Sequence, residues 1–327
     1  MTKILFKGAS LDCGADQNLL DCLLDSGYAL PHGCRAGACQ SCLLQLKSGN
    51  IDKSAQTGLS IPDRNRGLLL ACQCYPTETL EVSPIAASAL RTNATLISRE
   101  QLSESVYVLK LSSRITWKAG QYINLWLPGK EQTRSYSIAN LASEDLYAEL
   151  HVRRHPGGYL SEALTQEINL GDSLQIQGPL GEFGHRSELL DDKFLMLAEG
   201  TGLAPLLAIA REIEGGLPGS QVDFLCTSRS HNYYGQPVLA QARERFSHWQ
   251  YESYRSGNDE APYEEITQGI RQRFASLRGH NIYVCGSEEF VSAMKRCCFL
   301  AGAPSSQIIC ETFVDFTAPG QSRAQPM

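Results

Sequence analysis

Cys34, Cys39 and Cys42 fall in one short run, Cys34-Arg-Ala-Gly-Ala-Cys39-Gln-Ser-Cys42, and Cys72 follows thirty residues further on. Thiolates at CxxxxCxxC with a distant fourth cysteine suit a [2Fe–2S] cluster, a carrier of single electrons. Gly33, Ala36, Gly37, Ala38 and Ser41 are small enough to let backbone amides approach the cluster sulfurs, where their hydrogen bonds tune the potential. Two other readings compete. Zinc also takes thiolates, but structural zinc sites favour two close pairs over a triple and a singlet. A disulfide framework suits short secreted chains, whereas this one has 327 residues and no N-terminal apolar segment fit for a signal peptide. Cys13, Cys22, Cys74, Cys226, Cys297, Cys298 and Cys310 lack ligand spacing and read as buried free thiols, which in this number suggest a reducing cytoplasm.

Three further constellations involve phosphates and aromatic rings. In Arg134-Ser135-Tyr136-Ser137 an arginine can pair with a pyrophosphate, a tyrosine can stack on an isoalloxazine ring, and hydroxyls can bond its polar edge. An exposed polar strand is the plainer alternative. In His151-Val152-Arg153-Arg154-His155-Pro156-Gly157-Gly158-Tyr159-Leu160-Ser161 a strand end runs through two glycines into a helix start, which presents free amides to a second phosphate. An ordinary turn beside a solvated strand face would look the same. Then Gly200-Thr201-Gly202 follows the apolar strand 194–198 and opens a helix, a turn that lets a nicotinamide dinucleotide lay its pyrophosphate at the helix N-terminus.

Near the end of the chain, Cys285-Gly286 closes another apolar strand at what should be the same sheet edge. Its thiol either flanks the nicotinamide ring or is an inert buried group. Phe313, in Glu311-Thr312-Phe313, either covers a flavin face or belongs to the core. In Ser228-Arg229-Ser230-His231, Arg229 could hold a 2′-phosphate, and no acidic residue clearly marks a ribose.

These residues require distinct scaffolds. With 43% apolar and 20% charged residues the chain should fold as two or three ordinary domains. A net charge of −6 argues against a nucleic-acid partner, and no apolar run is long enough to span a bilayer. The first domain, 1–85, reads as two strands, a helix over 18–27, the cluster loop, and short strands beginning at 43–47. Small residues over 86–91 suit a linker. Over 92–188, runs such as 105–111, 121–127 and 148–153 between Gly and Pro indicate an antiparallel barrel. Over 189–317, strands 194–198, 221–226 and 281–285 alternate with helices near 203–214, 236–246, 265–277 and 288–301, the pattern of a parallel sheet. Residues 318–327 read as a disordered tail.

The ordered set of cluster cysteines, Arg134-x-Tyr136-Ser137, Gly157-Gly158-x-x-Ser161, Gly178-Pro-Leu-Gly181, Gly200-Thr-Gly-Leu-Ala-Pro205, Cys285-Gly286 and Glu311-x-Phe313 resembles the ferredoxin–NADP reductase superfamily. The subgroup it resembles is the single-chain reductase component of bacterial multicomponent oxygenases, with an N-terminal plant-type ferredoxin domain. That resemblance implies a multidomain α+β and α/β fold: a β-grasp-like ferredoxin domain, an antiparallel β-barrel FAD domain and a parallel-sheet α/β NAD(P)-binding domain. It implies FAD, a [2Fe–2S] cluster and NADH as cofactors, NADPH being the alternative. Arg134, Tyr136 and Ser137 would contact FAD, and Val152, Arg153, Gly158, Leu160 and Ser161 would line its phosphates. Thr201 and Cys285 would meet the nicotinamide, and Phe313 would shield the flavin.

Glu199 departs from the resemblance, which has glycine there, and places a negative charge beside the dinucleotide turn. The implied activity is electron transfer from NADH to an oxygenase component by a cytoplasmic monomer. Alternatives are the reductase partner of a nucleotide-deoxysugar dehydratase and, from another class, a redox sensor or binding module without turnover.

Overall fold

In β1 (Thr2–Phe6) Ile4 and Phe6 are buried while Lys3 and Leu5 are exposed, the period of a half-buried strand. Lys7 and Gly8, both at positive φ, turn the chain back into β2 (Ala9–Cys13). The computed structural model describes residues 1–184, 192–229, 233–257 and 261–314. Asn18 caps α1 (Leu19–Asp25) by accepting the Asp21 N–H at 2.9 Å, and the helix buries Leu19, Leu20, Cys22 and Leu23. Gly27, at φ +84°, takes the left-handed position after it.

After the cluster loop come β3 (Leu43–Ser48), α2 (Ile61–Asn65), β4 (Leu68–Leu70) and β5 (Leu80–Pro84). The sheet runs β2-β1-β5-β3-β4, with β1 parallel to β5 and the other pairs antiparallel. This mixed sheet is the β-grasp arrangement. Residues 1–86 form one compact unit together with Glu131–Arg134, in which Gln132 bridges His32, and Val314.

The second unit holds 87–130 and 135–313. It opens with α3 (Ala87–Leu90). The strands β6 (Thr92–Gln101), β7 (Val106–Ser113), β8 (Tyr122–Trp126), β9 (Thr133–Ser137, whose first two residues count with the first unit) and β10 (Tyr147–Arg153) are followed by α4 (Tyr159–Glu162) and β11 (Ser173–Leu180). Their order is β10-β7-β6-β11-β8-β9. Ile138 bridges Leu150 and the Ala139 N–H reaches Glu149 O at 2.8 Å, so the two edges of the sheet meet and the barrel closes. Leu96, Leu109, Leu111, Ile123, Leu125, Leu150 and Ile176 fill it.

The remaining strands are β12 (Lys193–Glu199), β13 (Gln221–Ser228), β14 (Gln250–Arg255), β15 (Asn281–Ser287) and β16 (Ile308–Phe313), all parallel in the order β14-β13-β12-β15-β16. Residues 194–198 are wholly buried, as a strand covered on both faces requires. Phe194, Met196 and Ala198 share a core with α5 (Leu203–Gly216) and α6 (Gly235–Arg245). Leu195 and Leu197 share the other with α7 (Glu264–Arg273) and α8 (Glu288–Leu300). The chain steps outward from β12 and then returns to β15 on the other side, which puts a topological switch point at the carboxyl ends of β12 and β15.

The apolar period that predicts a helix to 277 outlasts the helix. The backbone leaves α7 at Phe274, and Leu277 is buried from a turn whose N–H reaches Ala301 O at 2.9 Å. Among the described residues no helix is long and apolar enough to cross a membrane.

Candidate redox and dinucleotide sites

The cluster loop is wound by left-handed residues. Gly37 has φ +80°, and Arg35 and Gln40 hold φ +53° and +54° without glycine's freedom, local strain of the kind that gathers at functional sites. The result is a set of amides aimed at sulfur: Cys39 N–H and Ala36 N–H reach Cys34 Sγ at 3.2 and 3.3 Å, and Cys34 N–H reaches Cys39 Sγ at 3.3 Å. Ser41 Oγ lies 3.1 Å from Cys39 Sγ.

All four cysteines are buried, and Cys34 and Cys39 exchange amide-to-sulfur bonds while Cys42 lies beside Cys72. A hydrogen bond from its partner lowers one thiol of each pair, Cys39 to about 6 by Cys34, and Cys72 by Cys42. Among the described residues no three His, Cys, Asp or Glu side chains converge to hold one ion. Four buried thiols in a loop whose amides point at sulfur fit a sulfide-bridged cluster, whose potential such hydrogen bonds tune. None of the twelve cysteines is in a disulfide.

On β9, Ser135 Oγ donates to Asn124 Oδ1 at 2.7 Å, and Asn124 in turn donates to Gln177 at 3.1 Å, which ties the strand to β8 and β11. Arg134 donates to Thr133 O at 2.8 Å, Tyr136 packs against the barrel core, and Ser137 is half-buried at the strand's end. On β10, His151 is buried, with Nδ1 3.0 Å from Tyr234 Oη. Val152 points into the barrel core, as does Leu160 from α4, so only their main chains can face a ligand.

Arg153 carries a buried Nε with no hydrogen-bond partner among the described residues, an open donor of the kind a phosphate oxygen would satisfy. Its Nη2 lies against Gly200, 2.4 Å from where a β-carbon there would stand. Gly158 is similarly enclosed: a β-carbon would stand 2.5 Å from Ser161 Oγ and 2.7 Å from His155 O. Ser161 accepts the His155 N–H at 3.1 Å, and Gly157, at φ +71°, lies exposed at the turn. The open Arg153 donor and the missing side chains at Gly158 and Gly200 leave a cradle whose chemistry fits the phosphates of a dinucleotide flavin.

Gly200 (φ +55°), Thr201 and Gly202 form one tight turn between β12 and α5. Beside them, Cys285 is fully buried, and burial pushes its thiol well above the usual range. Glu311 pairs with Cys285 across the β15–β16 register, and burial raises its carboxyl to about 7. Phe313, at the end of β16, packs on the core that also holds Cys285. The carboxyl ends of β12, β15 and β16 therefore gather the Gly200 turn, Cys285-Gly286 and Phe313 along one sheet edge.

Glu199 is fastened at that edge, accepting the Ser287 N–H at 2.9 Å and the Tyr263 hydroxyl at 3.2 Å. A β-carbon on Gly286 would come within 2.7 Å of its Cβ, so the glycine there also makes room for the glutamate. Arg229 is exposed just beyond β13, with Ser228 buried before it, while Ser230 and His231 lie outside the described residues. Tyr233, Tyr234 and Tyr263 belong to no motif, and only the folded chain brings their hydroxyls to Gly200, His151 and Glu199.

Family models match three stretches: a 2Fe-2S iron-sulfur cluster binding domain over 3–77, an oxidoreductase FAD-binding domain over 93–185, and an oxidoreductase NAD-binding domain over 196–296. The reductase subunit of an aromatic O-demethylase from an Amycolatopsis strain is 36% identical over 66% of this chain and 68% of that protein. The toluate 1,2-dioxygenase electron transfer component of Pseudomonas putida is 29% identical over 88% and 89%. The CDP-6-deoxy-L-threo-D-glycero-4-hexulose-3-dehydrase reductase of Yersinia pestis is 29% identical over 90% and 93%. The crystal structure of a cytochrome P450 reductase from Amycolatopsis superposes with TM-score 0.64 at 28% identity, covering 96% of this chain and 99% of that one.

The chain belongs to the ferredoxin–NADP reductase superfamily, as a single-chain reductase with a 2Fe–2S domain. It is an NAD(P)H-dependent iron–sulfur flavoprotein oxidoreductase whose cofactors are FAD, [2Fe–2S] and NADH.

Proposed function

We propose that the chain draws electrons from NADH and delivers them singly to an oxygenase component that docks at the ferredoxin domain. One observation carries this reading: a single chain holds four buried cysteines in a loop whose amides point at sulfur together with a dinucleotide turn, Gly200–Gly202, set against the flavin-strand arginine Arg153. FAD, when bound, supplies the conversion between paired and single electrons.

In this reading Arg134 and Arg153 hold the flavin pyrophosphate, the main chain from Gly157 to Ser161 completes the anion cradle, and Tyr136 stacks on the ring. Ser137 bonds the ring's polar edge, Thr201 and Cys285 line the nicotinamide pocket, and Phe313 keeps water from the flavin face. Cys34 and Cys39 hold one iron, Cys42 and Cys72 the other. The domain limits are 1–85, 92–188 and 189–317, and the acting unit is a cytoplasmic monomer. In this reading Arg229 meets the adenosine end, and NADH is the preferred donor. A tenfold or greater kcat/KM preference for NADPH would reverse that choice.

The relatives named for an aromatic O-demethylase and a dioxygenase support the oxygenase acceptor. The dehydrase reductase, equally similar over the whole chain, supports the second reading, a nucleotide-sugar dehydratase as acceptor. The primary test is anaerobic titration with NADH after flavin and iron have been quantified. Bleaching of flavin and iron–sulfur bands at about one and a half NADH per protein accounts for three electrons, and absence of those bands in protein purified without air overturns the relay. Product formation on mixing with a purified dehydratase, and none with ring-hydroxylating oxygenases, would move the acceptor to the second reading.

A further inference from the structure

Two consecutive tyrosines leave β13 for α6 and bury their rings completely, Tyr233 and Tyr234 being 5% and 3% exposed. Tyr233 Oη donates to Gly200 O at 3.2 Å, the carbonyl of the dinucleotide turn. Tyr234 Oη lies 3.0 Å from His151 Nδ1 on the flavin strand β10, and the two rings meet edge-on with centroids 5.5 Å apart. The tyrosine rings also meet each other edge-on at 5.3 Å. Two residues beyond His151, Arg153 presses back on Gly200. The contacts therefore form a closed ring: Gly200, Tyr233, Tyr234, His151, then along β10 to Arg153 and again Gly200.

The ring has little slack. Gly235 immediately follows the tyrosines, and a β-carbon there would stand 2.5 Å from Tyr233 Cε1 and 2.6 Å from Leu203 Cδ2, at the first residue of α5. The tyrosines are wedged between the strand that carries the flavin arginine and the helix that begins at the dinucleotide turn. In sequence they follow Ser228 and Arg229, the residues placed for the adenosine end of the coenzyme. Tyr233 reaches the dinucleotide turn through its hydroxyl, and Tyr234 reaches β10 through its own.

We propose that Tyr233 and Tyr234 are positioning residues that couple occupancy of the adenosine end of NADH, at Ser228 and Arg229, to the placement of its nicotinamide end over the flavin strand. This rests on Gly200–Gly202 being the dinucleotide turn. Binding energy from the half of the coenzyme that does not react is thereby used to orient the half that does.

The test is anaerobic stopped-flow reduction of the flavin in the holoprotein, at saturating NADH or saturating reduced nicotinamide mononucleotide, which lacks the adenosine half. The wild type should be reduced by NADH at least about tenfold faster than by the mononucleotide. In Tyr233→Phe, and separately in Tyr234→Phe, that advantage should shrink to about threefold or less because the NADH rate falls while the mononucleotide rate holds. Flavin content and iron–sulfur absorbance report whether each variant is intact, and the two variants cut the ring at different bonds, so loss of one leaves the other decisive. Equal slowing with both donors, no change in either, or no NADH advantage in the wild type overturns the proposal. Failure of NADH to reduce the wild-type flavin at all would instead overturn the dinucleotide reading beneath it.

Discussion

The carbonyl oxygen of Cys285 occupies the place that a β-carbon on Gly202 would need. The turn after β12 can approach the end of β15 this closely only because residue 202 has no side chain, and that approach brings the Gly200–Gly202 turn against the main chain of Cys285 and Gly286. Gly202→Ala must push the turn away from β15. Overpacking of this kind costs roughly 1–3 kcal/mol, and the displaced turn should cut NADH-dependent flavin reduction at least about tenfold. FAD content and the cluster spectrum should stay as in the wild type. Unchanged reduction by NADH would mean that the turn does not carry the coenzyme.

The cluster offers a cleaner separation of functions. Cys39 receives the Cys34 N–H at 3.3 Å, so Cys39→Ser removes a proposed cluster ligand and a focus of the loop's hydrogen bonds together. Iron–sulfur absorbance and cytochrome c reduction should be lost, while NADH–ferricyanide activity, which needs the flavin and not the cluster, stays within about twofold. Loss of both activities would show that the two functions are not separable in this way.

Glu311 predicts a pH dependence of stability. Burial raises its carboxyl to about 7 from an ordinary value of 4.5, so the folded chain holds this proton more tightly than the unfolded chain does. The contribution is present in full below the unfolded value and is lost as pH rises through about 7, amounting at most to roughly 3 kcal/mol. The melting temperature should fall between pH 5.5 and 8, and Glu311→Gln, which cannot ionise, should flatten that fall. An equal fall in the variant would assign the effect to other groups.

Legibility in the sequence followed the range of the interactions. Residues 194–198 and 281–285 read as strands because both faces are covered and the apolar run is unbroken, and α1 was marked at its end by Gly27. Closure of the barrel through Ile138 and Leu150 could not be read, since neither strand edge marks its partner. At the site, the cysteine spacing identified four thiols but not their association in pairs, which depends on the fold bringing Cys72 to Cys42. Glu199 stood out as a charge where the resemblance has glycine. Its partners Tyr263 and Ser287 lie 64 and 88 residues away, so its role as a fastening of the sheet edge is visible only in three dimensions. Tyr233 and Tyr234 carry no motif at all, because a tyrosine hydroxyl gains its meaning from the acceptor it reaches.

Arg153 gives the most direct test of the flavin cradle. Its Nε is buried without a partner among the described residues while its Nη2 lies against Gly200, so the guanidinium sits at the dinucleotide turn with a donor to offer. A charge-assisted bond to phosphate is worth about 1.5–3 kcal/mol, so Arg153→Ala should weaken FAD binding by roughly ten- to a hundredfold. Arg153→Lys keeps the charge but lacks the planar fork that reaches Gly200 and the phosphate together, and should recover only part of that loss. Titrating flavin-stripped protein with FAD by fluorescence quenching measures both. If lysine restores full affinity, the site requires only a positive charge; if alanine binds FAD as the wild type does, the unpaired Nε does not face the flavin.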